Sequence, residues 1–408
     1  MQDLSLHRVA VTGIGSISSL GHTVPAIWEE LKEGRSGIAR ITRAPAEQLH
    51  IKIAAEIKDY DETAYFDDKE LPFYDRFAQF ALIAAGEAIA DSGVDFAQGE
   101  LGAETATIIA SGVGGWTTID SSFMKMFETG VARAHPLTVP RMMISAAASQ
   151  VTMKFGLTGP AFCVSSACSS ANHAIGEAFW MVRTGRARAA VAGGSESAIS
   201  MIGQRSWESV RVLAPDTCRP FSKSRKGMVI GEGAGVLILE RLEDAQARGA
   251  KIYAELAGYG LSSDASDIVI PDQKGAERAI AQALAIAEMN PEDVTYINAH
   301  GTGTVMNDRI ETAAIKAVFG EQARQLKVSS TKSLHGHALG AAGALEAVAT
   351  VKAMKEGVIP PTANYEAPDP DCDLDYVPNT AQEMPVKAAL SNSLAFGGLN
   401  AVLAFRNL

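Results

Sequence analysis

The chain has 408 residues, of which 47% are hydrophobic and 20% are charged, a balance typical of a folded protein with a large core. Its formal net charge of −11 argues against nucleic acid or an anionic membrane as the main partner. No apolar run approaches the roughly 18 residues of a membrane-spanning helix, so we expect no membrane span.

The cysteines form no CxxC pair, and none stands at metal-ligand spacing with a histidine. This spacing argues against a zinc site and against a disulfide framework, and free thiols are typical of a reducing compartment. The polar segment 1–8 lacks the apolar stretch of a signal peptide. We therefore expect a cytoplasmic location.

Apolar stretches of strand length alternate with segments of helical period along the whole chain. In the first half, the pattern predicts helices at 26–33, 77–92 and 171–182 and strands at 9–18, 105–112, 161–164, 187–194 and 231–240. In the second half, it predicts helices at 276–287, 311–318 and 341–355, and strands at 254–260, 294–299, 327–331 and a pair within 388–405. The alternation is typical of an α/β fold with largely parallel sheets.

Two glycines, Gly13 and Gly15, follow the start of the first predicted strand. The third glycine of a dinucleotide-binding fingerprint is missing, because position 18 is serine. We therefore predict a structural glycine turn at this place and no nucleotide site.

Two short sequence matches between the halves indicate an internal duplication. Residues 164–168 (VSSAC) share their first three letters with residues 328–332 (VSSTK), and 109–112 resemble 297–301. Chance is the alternative, but the matches occur in the same order in both halves. A pseudo-twofold arrangement would bring the ends of both Val-Ser-Ser strands to one place.

Cys168 lies where a predicted strand gives way to a predicted helix. A sulfur at a helix N-terminus lies near unpaired N–H groups and the positive end of the dipole, which favour a thiolate. A thiolate so placed can attack a thioester, so we interpret Cys168 as a nucleophile. A small buried core cysteine is the alternative interpretation.

Three further segments carry groups that acyl chemistry needs. His300 follows a predicted strand in 298–304, and Lys332, His335 and His337 lie close together in 330–337. Two neutral imidazoles could donate N–H bonds to an enolate oxygen, and the glycine-rich segment 392–398 could supply backbone N–H groups for an oxyanion hole. Structural histidines and an ordinary β-turn are the alternatives. No carboxylate stands at ligand spacing near the HxH pair, so no metal is expected.

Together, SSACSSANHAIG, NAHGTGT, STKSLHGHALGAAGALEA and NSLAFGG resemble the elongating (type II) β-ketoacyl-acyl carrier protein synthases of the thiolase superfamily. The segments CSSANHAI, LAPDTCRPFS, HGH and PPTANYEAPDPDCDLD are most similar to the nodulation-type branch. The resemblance implies an α/β thiolase-like fold with duplicated βαβαβαββ halves, at 1–252 and 253–408, that form a five-layer αβαβα sandwich. It also implies decarboxylative condensation of an acyl group on a cysteine with malonyl-acyl carrier protein.

The family's site residues carry over onto matching positions. The catalytic residues would be Cys168, His300, His337 and Lys332, with Glu346 as the partner of Lys332 and Asp308 in support. The oxyanion hole would use the N–H groups of Cys168 and Phe396, and Phe396 would gate the pocket. Thr302 and Thr304 would bind pantetheine, and Val113, Trp116 and Trp207 would line the acyl pocket.

The same resemblance implies acyl carrier protein as partner, and a dimer with itself or with a related synthase subunit. No cofactor is expected beyond the phosphopantetheine that carries the substrates. Arg133 and Arg211 are the candidate carrier contacts, because Phe73 and Tyr74 stand where basic residues are usual. His335, Leu394 and Leu399 depart from the housekeeping pattern, so the acyl specificity is expected to differ while the chemistry is kept. The likeness to the nodulation-type branch implies a specialised fatty acid or polyketide product, polyunsaturated chains included.

Three other functions belong to related proteins. A non-catalytic, chain-length-determining partner subunit would lack the nucleophile, and Cys168 argues against it. A coenzyme A-dependent thiolase would need a second cysteine near the C-terminal glycine turn, and 391–399 contain none. A starter-type synthase is disfavoured because Gly336 and His337 occupy the place of its asparagine.

Overall fold

A computed structural model describes residues 6–130 and 133–408. In these ranges the strands are β1 (Val9–Ser18), β2 (Ala39–Arg40), β3 (Ile53–Ala54), β4 (Thr105–Ala110), β5 (Ala161–Phe162), β6 (Ala189–Glu196), β7 (Gly233–Arg241), β8 (Ala254–Ser263), β9 (Tyr296–Asn298), β10 (Lys327–Ser329), β11 (Val358–Ile359), β12 (Gln382–Glu383), β13 (Ala388–Ala395) and β14 (Leu399–Arg406). The α-helices are α1 (Val24–Lys32), α2 (Arg76–Ser92), α3 (Trp116–Thr129), α4 (Thr138–Met142), α5 (Ala146–Phe155), α6 (Ser170–Arg183), α7 (Met201–Val210), α8 (Leu242–Ala247), α9 (Gln273–Ala287), α10 (Val305–Phe319), α11 (Lys332–His335) and α12 (Ala342–Glu356). None of the described helices is both long enough and apolar enough to cross a membrane.

The two halves of the protein repeat one strand order. The main sheet runs β10-β9-β13-β14-β8-β1-β7-β6-β4-β5. Read outward from its centre, the first half gives β1-β7-β6-β4-β5 and the second half gives β8-β14-β13-β9-β10. When the main-sheet strands of each half are numbered one to five in chain order, both halves have the spatial order 1-5-4-2-3. The internal duplication predicted from the short sequence matches is therefore present in the topology.

The halves join in the middle of the sheet and enclose a layer of helices. Strands β1 and β8 pair antiparallel over Val9–Val11, which makes the sheet continuous. Helices α6 and α12 pack between the two half-sheets, α2 and α5 cover the outer face of the first half, and α9 and α10 cover the second. This is the five-layer αβαβα arrangement of the expected thiolase-like fold.

The expectation of largely parallel sheets holds for four of the five main-sheet strands in each half. Pairs β4/β5, β4/β6, β9/β10 and β9/β13 are parallel, but β7 and β14 run antiparallel to both of their neighbours. Strands β13 and β14 follow each other directly, which favours antiparallel pairing, whereas helix α7 and a long loop separate β6 from β7.

The predicted glycine turn after the first strand is also absent. Strand β1 continues through Gly13 and Gly15 to Ser18. A Cβ added at Gly15 would lie 2.0 Å from the carbonyl oxygen of Ala84, and one at Gly13 would lie 2.2 Å from that of Ala88. These glycines therefore let helix α2 approach the strand backbone closely.

Strand β5 lies at the edge of the sheet, although a buried strand was predicted there. Ala161 and Phe162 are both exposed, and Phe162 keeps 40% of its surface accessible. The sheet order ends at β5, so the side away from β4 has no strand partner within the described residues.

Candidate active site

Cys168 lies on a sharp backbone turn that precedes helix α6. Ala167 adopts a left-handed conformation with φ of 52°, which is strained for a residue with a Cβ. Side chains hold the turn: the Ser170 hydroxyl accepts from the Ser166 N–H at 2.8 Å, and the Ser166 hydroxyl lies 2.8 Å from His173 Nδ1. The turn places the Cys168 side chain, which is buried, at the start of the helix as predicted.

The charge state of Cys168 differs from the sequence expectation. Burial raises the pKa of its thiol to about 11, while Lys332 and the backbone N–H groups of Phe396 and Cys168 lower the pKa by a smaller amount. The neutral thiol is therefore favoured near neutral pH, because removing the sulfur from water disfavours its charge more than the nearby positive groups favour it. This direction is opposite to the one that the helix N-terminus led us to expect.

His300 follows strand β9 and is fixed by two other side chains. Glu311 accepts hydrogen bonds from the N–H groups of His300 and Gly301, both at 2.8 Å. Lys332 Nζ donates to the His300 carbonyl oxygen at 2.6 Å and lies 3.3 Å from Nδ1. An ammonium group only donates, so Nδ1 is the acceptor and the ring proton sits on Nε2.

His337 reaches the same tautomer through a backbone contact. Its Nδ1 accepts a hydrogen bond from the Leu339 N–H at 3.2 Å, and its own N–H donates to the Val229 carbonyl at 2.7 Å. Because Nδ1 is the acceptor, the ring proton again sits on Nε2.

The two imidazole rings meet edge to face. Their centroids are 5.4 Å apart and their planes are inclined by 86°. Burial lowers the pKa of both rings well below the usual value, and the Lys332 ammonium lowers them further. Both rings are therefore neutral near neutral pH and offer Nε2–H groups as donors.

Lys332 and Glu346 form a buried ion pair beside His300. Both side chains are fully buried, and Lys332 Nζ contacts Glu346 Oε1. Burial raises the pKa of Glu346, and the Lys332 ammonium opposes this rise. The pair thus keeps a positive charge next to the imidazoles, where a developing negative charge would be stabilised.

One cavity of about 290 Å³ joins the predicted catalytic groups. Its lining includes Cys168, His300, His337, Phe396, Thr302, Thr304 and Trp207. The hydroxyl groups of Thr302 and Thr304 lie 2.9 Å apart, and the Trp207 and Phe396 ring centroids lie 5.9 Å apart. Groups that are far apart in the sequence therefore face a common space.

Several predicted residues lie elsewhere. Val113 packs in the apolar cluster that also contains Trp207, and Trp116 begins helix α3; neither of the two is among the residues that line the cavity. Arg211 lies at the cavity, but Arg133 lines a different cleft, beside Lys125.

Asp308 stands behind the cavity and braces two loops. It accepts from the N–H of Phe221 at 2.7 Å and from the N–H of Gly303 at 3.2 Å, and lies 3.6 Å from the Arg225 guanidinium. Through Gly303 it holds the segment that carries both pocket threonines, which is the supporting position expected for it.

The two histidines of the HxH pair point into different spaces. His335 Nδ1 lies 2.8 Å from the Gly336 carbonyl and Nε2 lies 2.9 Å from the Thr331 hydroxyl. Its ring lines a small cavity against Trp28, whereas His337 lines the cavity of Cys168. Both ring nitrogens of His335 are therefore engaged in hydrogen bonds away from the cavity of Cys168.

Sequence reasoning missed two buried carboxylates that hold the site loops. Glu311 binds the His300 turn from helix α10, and Glu196 at the end of β6 binds the turn at Gly112. The sequence around these two glutamates does not indicate their partners, because only the fold brings each glutamate next to the turn that it binds.

Known proteins are similar to this one over nearly the whole chain. The family descriptions "Beta-ketoacyl synthase, N-terminal domain" and "Beta-ketoacyl synthase, C-terminal domain" match residues 6–245 and 253–366. Nodulation protein E of Rhizobium sp. (strain N33) is 51% identical over 98% of this chain and 99% of its own length. The 3-oxoacyl-acyl-carrier-protein synthase 2 of Synechocystis sp. is 44% identical over 100% and 99%.

Solved structures agree with this assignment. The ishigamide ketosynthase/chain length factor superposes with a TM-score of 0.94 at 36% identity, over 99% of this chain and 100% of the other. The fold, the sequence matches and the shared cavity lead to one conclusion: the chain belongs to the β-ketoacyl synthase family of carbon–carbon bond-forming acyltransferases.

Proposed function

We propose that this protein joins an acyl group held on Cys168 to a malonyl group delivered by acyl carrier protein. The observation that carries the proposal is the shared cavity in which one thiol faces two neutral imidazoles whose Nδ1 atoms are already engaged. The relative from Synechocystis sp. is named for the same class of reaction.

In the first step, the acyl thioester of the carrier is transferred to Cys168. The sulfur attacks the thioester carbonyl, and the negative oxygen of the intermediate accepts hydrogen bonds from the backbone N–H groups of Cys168 and Phe396. The same two N–H groups contact the thiol sulfur in the resting site. The carrier thiolate leaves and takes up the proton that Cys168 gave up. The acyl-enzyme is a thioester on Cys168.

In the second step, malonyl-carrier enters and loses carbon dioxide. The electrons of the broken C–C bond form an enolate, and its thioester oxygen accepts hydrogen bonds from Nε2–H of His300 and His337. The carbanion carbon attacks the acyl carbonyl, and collapse of the intermediate expels the Cys168 thiolate. The product is β-ketoacyl-carrier, and the thiolate recovers a proton.

The arm of the carrier would reach the thiol through the cavity. We assign Thr302 and Thr304 to the phosphopantetheine, because both hydroxyls line the space beside His300. Trp207 and Phe396, in contact at the same cavity, would shape the entry of the acyl chain. No cofactor of its own is required by this chemistry.

We further propose a specialised acyl product, made in the cytoplasm. The similarity to nodulation protein E and to the ishigamide ketosynthase supports a role outside housekeeping synthesis. Mass spectrometry of carrier-bound products made from a panel of primers would test it. Only ordinary saturated chains, formed at one rate from all primers, would contradict it.

Cys168→Ala tests the reaction itself. Removal of the nucleophile should abolish formation of acyl-enzyme and lower condensation by about three orders of magnitude, while malonyl decarboxylation persists. Intact-protein mass spectrometry and product assays measure both. The buried Cys372→Ala, whose side chain packs in an apolar cluster of the second half and does not line the cavity, is the matched control. Wild-type elongation by Cys168→Ala would overturn the assignment.

A further inference from the structure

A buried carboxylate links the two halves of the protein just outside the reaction cavity. Glu196, the last residue of β6, has no exposed surface. Its Oε2 accepts from the N–H of Gly112 at 2.7 Å and of Gly340 at 3.0 Å, and its Oε1 accepts from the Ser111 hydroxyl at 2.9 Å. Burial raises the pKa of Glu196 to about 7, and these uncharged donors from both halves oppose the rise.

The two turns that bind this carboxylate are pressed together. A Cβ added at Gly340 would lie 2.2 Å from the Gly112 nitrogen, and one at Gly112 would lie 2.8 Å from Glu196 Oε2. Real Cβ atoms do not approach so closely, so the contact requires glycine on both sides. The geometry leaves little freedom for either turn while Glu196 is in place.

The second-half turn is the one that fixes His337. Leu339, whose N–H donates to His337 Nδ1, has a left-handed backbone with φ of 46°. This conformation is strained for leucine and needs outside support. Gly340 is the next residue, and Glu196 binds its N–H group, which belongs to the peptide that follows Leu339.

The first-half turn leads to the nucleophile. The Gly112 carbonyl accepts the Ser165 hydroxyl at 3.3 Å, three residues before Cys168. The negative charge of Glu196 also raises the pKa of Cys168, against the effect of Lys332. Glu196 therefore acts on the thiol through charge and on His337 through geometry.

We propose that Glu196 is a positioning residue of the condensation: by binding Gly340, it holds Leu339 in the conformation that keeps the His337 Nε2–H directed at the substrate. This inference rests on the proposed function for its catalytic consequence. The claim that Glu196 fixes the conformation of His337 can be tested without any measurement of activity.

Two variants separate reach from charge. Glu196→Asp keeps the charge but withdraws the carboxylate by one methylene, whereas Glu196→Gln keeps an acceptor near Gly340 and removes the charge. Loss of a hydrogen bond to a charged group typically costs about 10–100-fold. We expect Glu196→Asp to lower kcat for CO2 release from malonyl-carrier by that factor, with little change in KM. We expect the kcat of Glu196→Gln to be about tenfold higher than that of Glu196→Asp.

Three readouts test the idea. Acylation of Cys168 should fall less than CO2 release in Glu196→Asp, and the ¹⁵N signals of His337 should shift toward a mixed tautomer. In Glu196→Gln, alkylation of Cys168 should begin at lower pH than in the wild type, because Glu196 is removed while Lys332, His300 and His337 still face the thiol. Ser111→Ala, which removes a donor on the first-half side only, is the control and should leave the His337 signals in place.

Equal losses of acylation and CO2 release in both variants, or an unchanged His337 spectrum in Glu196→Asp, would overturn the inference. A wild-type protein without condensation activity would overturn the proposed function instead, since the His337 spectrum is measured without substrate. If Glu196→Asp does not fold, Glu196→Ala carries the test, because it removes the acceptor of the Gly340 N–H altogether. A mixed His337 tautomer in this variant supports the positioning role, and a wild-type His337 spectrum overturns it.

Discussion

At the scale of single residues, each imidazole of the site depends on the bond made by its far nitrogen. Lys332 occupies Nδ1 of His300, and the Leu339 N–H occupies Nδ1 of His337. Different groups therefore impose the same tautomer on both rings. The result is a pair of neutral donors, which a negative oxygen can use without any proton transfer.

His337→Ala should mainly impair decarboxylation. Removal of one of two donors to a developing oxyanion typically costs about 10²–10³-fold in kcat. We expect CO2 release from malonyl-carrier to fall by that factor, while acylation of Cys168 continues. A radiometric CO2 assay and intact-protein mass spectrometry measure the two steps.

His335→Thr is the control for that experiment. His335 is buried two positions away but lines a different cavity, so its replacement should leave most CO2 release in place. Circular dichroism would verify that both variants fold. CO2 release at the wild-type rate in His337→Ala would exclude its donor role.

The alkylation of Cys168 should depend on pH in a distinctive way. Burial raises its pKa from about 9 to about 11, so the reactive thiolate fraction keeps growing up to about pH 11. The rate of iodoacetamide labelling at Cys168, followed by peptide mass spectrometry, should therefore still rise above pH 9. The urea-unfolded protein should level off near pH 9, and the same levelling in the folded protein would contradict the prediction.

At the scale of elements, most strands and six of the twelve described α-helices follow from their apolar periods. Helix α10 begins six residues before its predicted start, and helices α5 and α7 were not predicted. The exceptions have causes outside the local pattern. Gly13 and Gly15 read as a turn because glycine usually ends a strand, but here the facing helix α2 requires them. Strand β5 read as buried because its own sequence is apolar.

Gly15→Ala should destabilise the fold. The added Cβ would meet the Ala84 backbone at 2.0 Å, and overpacking of this kind typically costs about 1–3 kcal/mol. Gly86→Ala, on helix α2, is the matched control, because its Cβ would lie 3.5 Å from Phe155 and alanine favours a helix by about 1 kcal/mol. Urea unfolding measures both, and equal stabilities would refute the close-packing argument.

The motifs located the reacting side chains, but not the groups that hold them. Cys168, His300 and His337 stand in small, recognisable segments, and the fold brings them to one cavity. Glu196 and Glu311 act across the fold, so only coordinates reveal them. The raised pKa of Cys168 was missed for the same reason: desolvation depends on how many distant segments cover the sulfur.

At the scale of the whole molecule, the free edge at β5 suggests where a second subunit would bind. Phe162 on this edge, Met153 on the adjoining α5, and Phe123 and Phe127 on α3 are exposed apolar side chains. An open edge and exposed apolar surface together are typical of an interaction face. We propose that the protein dimerises through this edge.

Phe162→Asp should weaken that dimer. A charge at the edge would be buried without a partner, so sedimentation equilibrium should show a shift toward monomer at concentrations where the wild type is dimeric. Leu408→Asp, at another exposed apolar position, serves as control and should not dissociate. A fully dimeric Phe162→Asp would place the interface elsewhere.

The two repeats contribute different groups to one reaction chamber. Cys168 and Lys332 occupy equivalent positions, each just past the third strand of its repeat. The first half carries a thiol at that position and the second half carries an amine. The proposed reaction uses both groups, so neither half could carry it out alone.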